Sequence, residues 1–472
     1  MGQEIYSSDF SAADFAEFQR RLIAETRLLE QWFKEGVFGS QGKVGGLELE
    51  ACILDRQGDP APLNQLILDG LDDSLVVPEL ATFNVEINTT PRVLTGDVFE
   101  SMSHELEGVW QQCNRQASGL SARMGMVGIL PSLRQSVLSL DNMSPLNRYR
   151  ALNDQVFRLR RGQPVELHID GRESLDLCHD DVMLESAATS FQIHLQVGIG
   201  QAAKLYNLSK IVSAPMVALS ANSPYLFGRD LWDETRIPLF EQSISVGASD
   251  LTKRVSFGIR YLYQSMMENF TANLQRYPVL LPRLMDEPVE RLAHLRLHNG
   301  TIWRWNRPLI GFDEQGAPHL RIEHRVVPAG PSLTDMIANA AFFFGLVTGL
   351  ADIYEKPETE MGFIRARSNF YQAARYGLRS QLFWFGWQSF PADILIRDQL
   401  LPIARQGLTL LGVDAASIDF WLGVIRQRVV LGVNGATWQR RWVAKHGRDM
   451  RGLTLAYLER QESGRPVHEW DL

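Results

Sequence analysis

Residues 190–197 read SFQIHLQV, and this octapeptide decides what kind of sheet the chain builds. Phe191, Ile193, Leu195 and Val197 alternate with Gln192, His194 and Gln196, the period of two in which successive side chains point to opposite faces of a strand. A parallel strand buried on both faces would be apolar throughout. The Gly198-x-Gly200-x-x-Ala203 that follows is therefore no dinucleotide fingerprint, and no acid stands about twenty residues on to hold a ribose. The pattern predicts an antiparallel strand with one apolar and one polar face.

Three more stretches share this pattern. In GLELE at 46–50, Leu47 and Leu49 oppose Glu48 and Glu50; in FNVEIN at 83–88, Phe83, Val85 and Ile87 oppose Asn84, Glu86 and Asn88. In LRIEHRV at 320–326, Leu320, Ile322 and Val326 oppose Arg321, Glu323 and Arg325. Any one acidic strand face is ordinary in a solvated sheet, and a lone histidine between apolar residues more often satisfies a local hydrogen bond than a metal. Four such faces, carrying carboxylate, amide, imidazole and guanidinium in place of Thr, Ser and Lys, point to a site. Glu48 and Glu50 on one face repel each other, and Glu86 and Glu323 add to the repulsion unless cations neutralise them. Hard oxygen donors with at most one imidazole favour Mg2+ or Mn2+ over zinc, and such sites also bind substrate phosphates.

The charge balance agrees. A net charge of −8 and a pI near 5.8 across 472 residues exclude a general nucleic-acid binder, which needs a surplus of Lys and Arg. Cys52, Cys113 and Cys178 show no paired spacing for disulfides or zinc, which predicts a reducing, cytoplasmic setting. MGQEIYSSDF at the start has an acid and no apolar run, and Tyr6 breaks the myristoylation pattern after Gly2, so no targeting segment is expected. Met336–Ala351 is apolar but contains Asn339 and is shorter than the roughly 20 residues of a membrane span. It is expected as a buried helix.

Helical spacing marks 9–35, 97–123, 146–160 and 201–220, and strand spacing marks Val44–Leu54 and Phe83–Asn88. After Pro331 strand signals nearly vanish, and Ser332–Tyr354, Phe363–Leu378, Pro391–Leu411 and Ala416–Leu431 read as helices. No repeat with a period of about 20–50 residues is visible. The class is α+β.

These stretches carry a family likeness. GLELE at 46–50, VPELATFNVEINTTP at 77–91, GILPSL at 128–133, MSPLNRY at 143–149, SFQIHLQV, ALSANSPYLFGRDLWDETRI at 218–237 and LRIEHR at 320–325 resemble glutamate–cysteine ligase family 2 in order and content, with a weaker echo in NFYQAARYGL at 369–378. The resemblance implies a glutamine-synthetase-like curved antiparallel sheet, a funnel flanked by helices whose inner face binds Mg2+, ATP and amino acids. It implies an N-terminal helical segment at 1–43, a catalytic domain at 44–350 and a helical C-terminal region at 351–472 packed on it. The metal ligands it implies are Glu48, Glu50, Glu79, Glu86, His194 and Glu323. Arg236 and Arg325 would handle the substrate carboxylate and the transferring phosphoryl group, as a planar bidentate donor suits. Gln192, Asn222, Arg148 and Arg304 would bind substrate.

The implied reaction joins the glutamate γ-carboxylate to the cysteine amine through an acyl phosphate, with ATP as co-substrate and Mg2+ or Mn2+ as cofactor. Partners would be these small molecules, with neither nucleic acid nor membrane. Another amine acceptor, and a scaffold that binds without turnover, remain alternatives, although all the expected carboxylates are present. No P-loop pattern occurs, so ATP needs another architecture. In HNGTIWRWNRPLIGF at 298–312, Trp303 and Trp305 are expected on one strand face and Arg304 on the other, near Arg307. Glu105, Glu107, Asp180 and Asp181 call for no functional account.

Overall fold

A computed structural model describes residues 5, 9–39, 43–246 and 253–472. The strands are β1 (Val44–Asp55), β2 (Val76–Pro78), β3 (Asn84–Asn88), β4 (Arg92–Val93), β5 (Ala122–Gly125), β6 (Val165–Asp170), β7 (Ser174–His179), β8 (Phe191–Val197), β9 (Tyr225–Leu226), β10 (Arg229–Asp230), β11 (Asn306–Phe312), β12 (Pro318–His324), β13 (Gln381–Trp384) and β14 (Gln388–Pro391). Eight of them form one sheet in the order β11-β12-β8-β1-β3-β2, with β4 and β5 also paired to β1. Every pairing in it is antiparallel.

The long β1 sets the curvature. Its first half lies against β8 and its last residues, Cys52–Asp55, against β5, while β4 and β3 divide its other edge. One strand shared among four partners turns the sheet through the cumulative strand twist. The apolar face, including Leu47, Leu49, Val85, Ile87, Ile193 and Ile322, is fully covered.

The helix Leu333–Ile353 is long and apolar enough to cross a membrane, but 83% of its most apolar window is buried inside the fold. It crosses Leu401–Leu411 so closely that a Cβ on Gly345 or Gly407 would strike the other helix's backbone; the paired glycines permit that approach. One apolar core joins Phe18 and Leu29, the sheet, and Leu408 and Trp442, drawing on all three expected segments.

Helices occur at Ala12–Glu35, Val98–Gly119, Asn147–Leu159, Ala202–Ser220, Phe363–Tyr376 and Ala415–Leu431, within a few residues of the expected spans. The region after Pro331 is less uniformly helical than its pattern suggests. β13 and β14 form a hairpin, and the stretch from Ala392 to Leu411 opens with a short α-helix and a π-helical turn, Ile396–Leu400, before Leu401–Leu411. All three cysteines are unpaired.

Candidate functional site

The polar face of the sheet is not solvated. Glu86, Gln192 and Glu323 are 0% exposed, and Glu48 and His194 8%. Glu48 and Glu323, with Glu50, Glu79 and Arg325, border a cavity of about 520 Å3, lined also by Arg148, Glu185, Arg296, Trp303, Arg307 and Arg321.

Strand register sorts the expected metal ligands into two groups of three. Glu323 of β12 stands opposite His194 of β8, and His194 opposite Gly46 of β1; the glycine has no side chain to separate the imidazole from Glu48. His194 Nε2 lies 2.9 Å from Glu48 Oε1 and 4.0 Å from Glu323 Oε1. In the second group Glu50 of β1 stands opposite Glu86 of β3, and Glu79 follows β2 directly. Within each group one donor atom from every residue lies within 4.8 Å of the others.

Cationic side chains serve the two groups unequally. Arg307 of β11 donates through Nε and Nη2 to both oxygens of Glu323, at 2.7 and 2.8 Å. Arg325 donates to Glu323 Oε2 at 3.2 Å and to Gln192 Oε1 at 2.6 Å. Gln192 in turn donates to Glu50 Oε1 at 3.0 Å, and the Ser190 N–H to Glu50 Oε2 at 2.6 Å. Burial pushes the Glu323 carboxyl up, but Arg307, Arg325 and His194 together hold it far below the ordinary carboxylate range. Burial likewise works against the Glu48 carboxylate, and His194 outweighs it.

In the second group burial wins. It raises Glu50 despite Arg325, and burial with Glu48 pushes Glu86 up to about 7. Glu79 is raised well above its usual range by burial and then by Glu86 and Glu50. Glu185, on the 3-10 turn Val182–Ala187, is pushed to about 8 by burial and Glu50.

This donor set fits a hard divalent cation: five carboxylates and one imidazole, the oxygen-rich composition that favours Mg2+ or Mn2+. Glu48 Oε2 is buried with no hydrogen-bond partner among the described residues, an expensive state for an ionised oxygen that a bound cation would relieve.

A family model, glutamate-cysteine ligase family 2, matches residues 44–455. The chain belongs to this family. Its members are carboxylate–amine ligases, and the match runs past the boundary expected at residue 350. Among solved structures, the glutamate–cysteine ligase of Francisella tularensis in complex with AMP aligns with a TM-score of 0.54 at 10% identity, covering 92% of this chain and 90% of that one. This likeness shows the glutamine-synthetase-like fold. A bifunctional glutathione synthetase from Pasteurella multocida aligns at a TM-score of 0.47 and 11% identity, covering 93% of this chain and 55% of that one. The comparison with curated proteins gives no match.

Not every residue that the family likeness nominated faces the cavity. Arg236 is bound elsewhere: Nε donates to Glu234 Oε1 at 3.0 Å, and Nη2 donates to the carbonyl oxygens of Arg325 and Val326 at 3.2 and 2.6 Å. It is not among the residues that line the cavity, and its side chain holds the backbone that carries Arg325. Asn222 is engaged in buried hydrogen bonds, donating to the Ala329 carbonyl and Tyr457 hydroxyl at 2.7 and 2.8 Å. Arg304 opens onto a second, smaller cavity. Trp303 lines the main cavity while Trp305 is buried and donates to Glu241 at 2.8 Å, so the two do not share a face: β11 begins only at Asn306.

Arg148 does reach the cavity, with its guanidinium 4.6 Å over the Tyr149 ring and Nη2 donating to the Tyr149 hydroxyl at 2.8 Å. Gln192 bridges Glu50 and Arg325, as given above. Arg307, Arg321, Arg296 and Glu185 also line the cavity without having been marked for a role by any motif. The polar-face pattern did contain Arg321. Arg307 becomes meaningful only through its register opposite Glu323, and Glu185 sits on a turn with no periodicity to mark it.

Proposed function

We propose that this ligase couples ATP to the joining of glutamate, through its γ-carboxylate, to the amine of cysteine. The observation that carries the reading is the pair of three-residue, carboxylate-rich groups beside one cavity, which Glu48, Glu323, Glu50 and Glu79 line, bridged by the Arg325–Gln192–Glu50 chain. Glu48, His194 and Glu323 would hold one Mg2+ and Glu50, Glu79 and Glu86 another; bound there, the ions neutralise charge on the β- and γ-phosphates. The Francisella tularensis glutamate–cysteine ligase is in complex with AMP, which supports a nucleotide as a ligand of this fold.

The chain's own part is to position and to shield. Arg325 Nη1 is held by Glu323 and Gln192, fixing a guanidinium beside both candidate cation positions. From there it can meet charge that develops on the transferring phosphoryl group. The γ-carboxylate oxygen attacks the γ-phosphorus and ADP leaves; the amine then attacks the acyl carbon, phosphate leaves, and the amine gives up a proton. Apolar walls, including Phe270, Leu281 and Leu295, would keep water from the acyl phosphate. Three unpaired cysteines suit a cytoplasmic enzyme.

The test incubates the protein with ATP, Mg2+, glutamate and a panel of amines, following phosphate release and product mass. γ-Glutamylcysteine formation supports the proposal. ADP formed only with another amine replaces cysteine as acceptor, and no turnover with any amine would overturn catalysis itself.

A further inference from the structure

A second cavity shares no lining residue with the first and is lined by Lys210, Gly258, Arg260, Asn269, Arg276 and Arg304 among others. Lys210 is 1% exposed and Arg304 6%. Lys210 Nζ donates to the Phe257 carbonyl, and the Arg304 side chain has no hydrogen-bond or ion-pair partner among the described residues, its guanidinium lying 5.7 Å from the Tyr277 ring centre. Gly258, at φ +91°, leaves room for the ammonium: a Cβ there would come within 2.9 Å of Nζ.

Two cations sharing a low-dielectric pocket repel each other. The one acid among the described lining residues, Glu268, is already committed. Its Oε1 accepts the backbone N–H groups of Tyr263, Gln264 and Ser265 at 2.9, 2.8 and 3.1 Å, and Oε2 accepts from Arg260. Deprotonating Lys210 would relieve the repulsion, and burial pulls in that direction. The rings of Tyr206, Phe257 and Phe363, however, surround Nζ at 5.1, 4.9 and 5.7 Å, and aromatic faces favour the ammonium over the amine.

We propose that this pocket binds a small monovalent anion of halide size between Lys210 and Arg304. The space, about 30 Å3, exceeds the roughly 10–15 Å3 that admits a water and is too small for a nucleotide or an amino acid. The anion would tie the Phe257–Gly258 segment to Arg304. That segment carries functional weight, because the Trp305 N–H donates to the Ser256 carbonyl at 3.1 Å and the Trp305 carbonyl accepts the Arg325 N–H at 2.9 Å.

Crystals grown or soaked in bromide should show an anomalous peak between Lys210 Nζ and the Arg304 guanidinium. At equal ionic strength, chloride in place of gluconate should raise Tm by on the order of 2 °C in the full chain. Lys210→Met, which keeps length and apolar bulk, should lose that increment, and Arg304→Gln should lose the bromide peak; the second variant serves if the first does not fold. No bromide peak, together with equal chloride increments in wild type and Lys210→Met, would overturn the proposal and mark Lys210 as a neutral buried amine. Neither measurement depends on ligase turnover.

Discussion

The two halves of the polar face use similar residues under different electrostatic conditions. On the β8–β12 side Glu48, His194 and Glu323 are met by Arg307 and Arg325, and Glu323 stays ionised far below its usual range. On the β1–β3 side Glu50, Glu79 and Glu86 have one another, with Asn88 donating to Glu86 at 2.9 Å, and their carboxyls are all raised. The first group is close to charge balance through the protein alone. The second reaches balance only by holding protons or a cation, so cation binding should be most strongly felt there.

The largest effect is expected at the bridge between the halves. Arg325→Ala removes the donor shared by Glu323 and Gln192, and kcat should fall by on the order of 10^2 to 10^3; near-normal turnover would break the assignment. Next, Glu323→Gln leaves Arg307 and Arg325 buried without their carboxylate partner and should destabilise the fold by about 3–5 kcal/mol, read by urea unfolding without divalent ions.

The same change at Glu86 should have the opposite sign. Glu86→Gln relieves a buried carboxylate raised to about 7 and should stabilise the metal-free protein at pH 8 by about 1–2 kcal/mol, while weakening Mg2+ binding. If both glutamines destabilise alike, the contrast between the halves is wrong.

The smallest expected effect is on pH dependence. Carboxyls raised in the folded state contribute stability that is present below their unfolded pKa and lost as pH rises through the folded value. With Glu86 near 7 and Glu185 near 8, Tm of the metal-free protein should fall by a few degrees between about pH 5 and pH 8. Excess Mg2+ should flatten that slope, and calorimetry in buffers of different ionisation enthalpy should show proton release on binding near neutrality. A Tm that rises with pH in the absence of metal would contradict the charge assignment.

Much of the site was legible because a strand's period of two exposes its chemistry directly. Glu48, Glu50, Glu86, His194 and Glu323 each stood opposite an apolar partner set, and the structure brings all five to one face. Glu79 was nominated by family likeness and lies beside them. Arg236, Asn222 and Arg304 have suitable chemistry by residue type, but residue type does not give placement: the first two are engaged in buried hydrogen bonds and the third opens onto another cavity. The β13–β14 hairpin was missed because its four-residue strands are too short to establish a period.

Sequence alone determined that the chain builds amphipathic antiparallel strands, that their polar faces carry too many acids for ordinary solvation, and that Met336–Ala351 lies in a buried helix. Local periodicity and composition encode these directly. Tertiary structure decided how the six ligands divide into two groups, which arginine compensates which carboxylate, and that Lys210 and Arg304 share a pocket. Those facts depend on register between strands, and on packing between segments as far apart as Glu48 and Glu323 in β1 and β12, which no local pattern records.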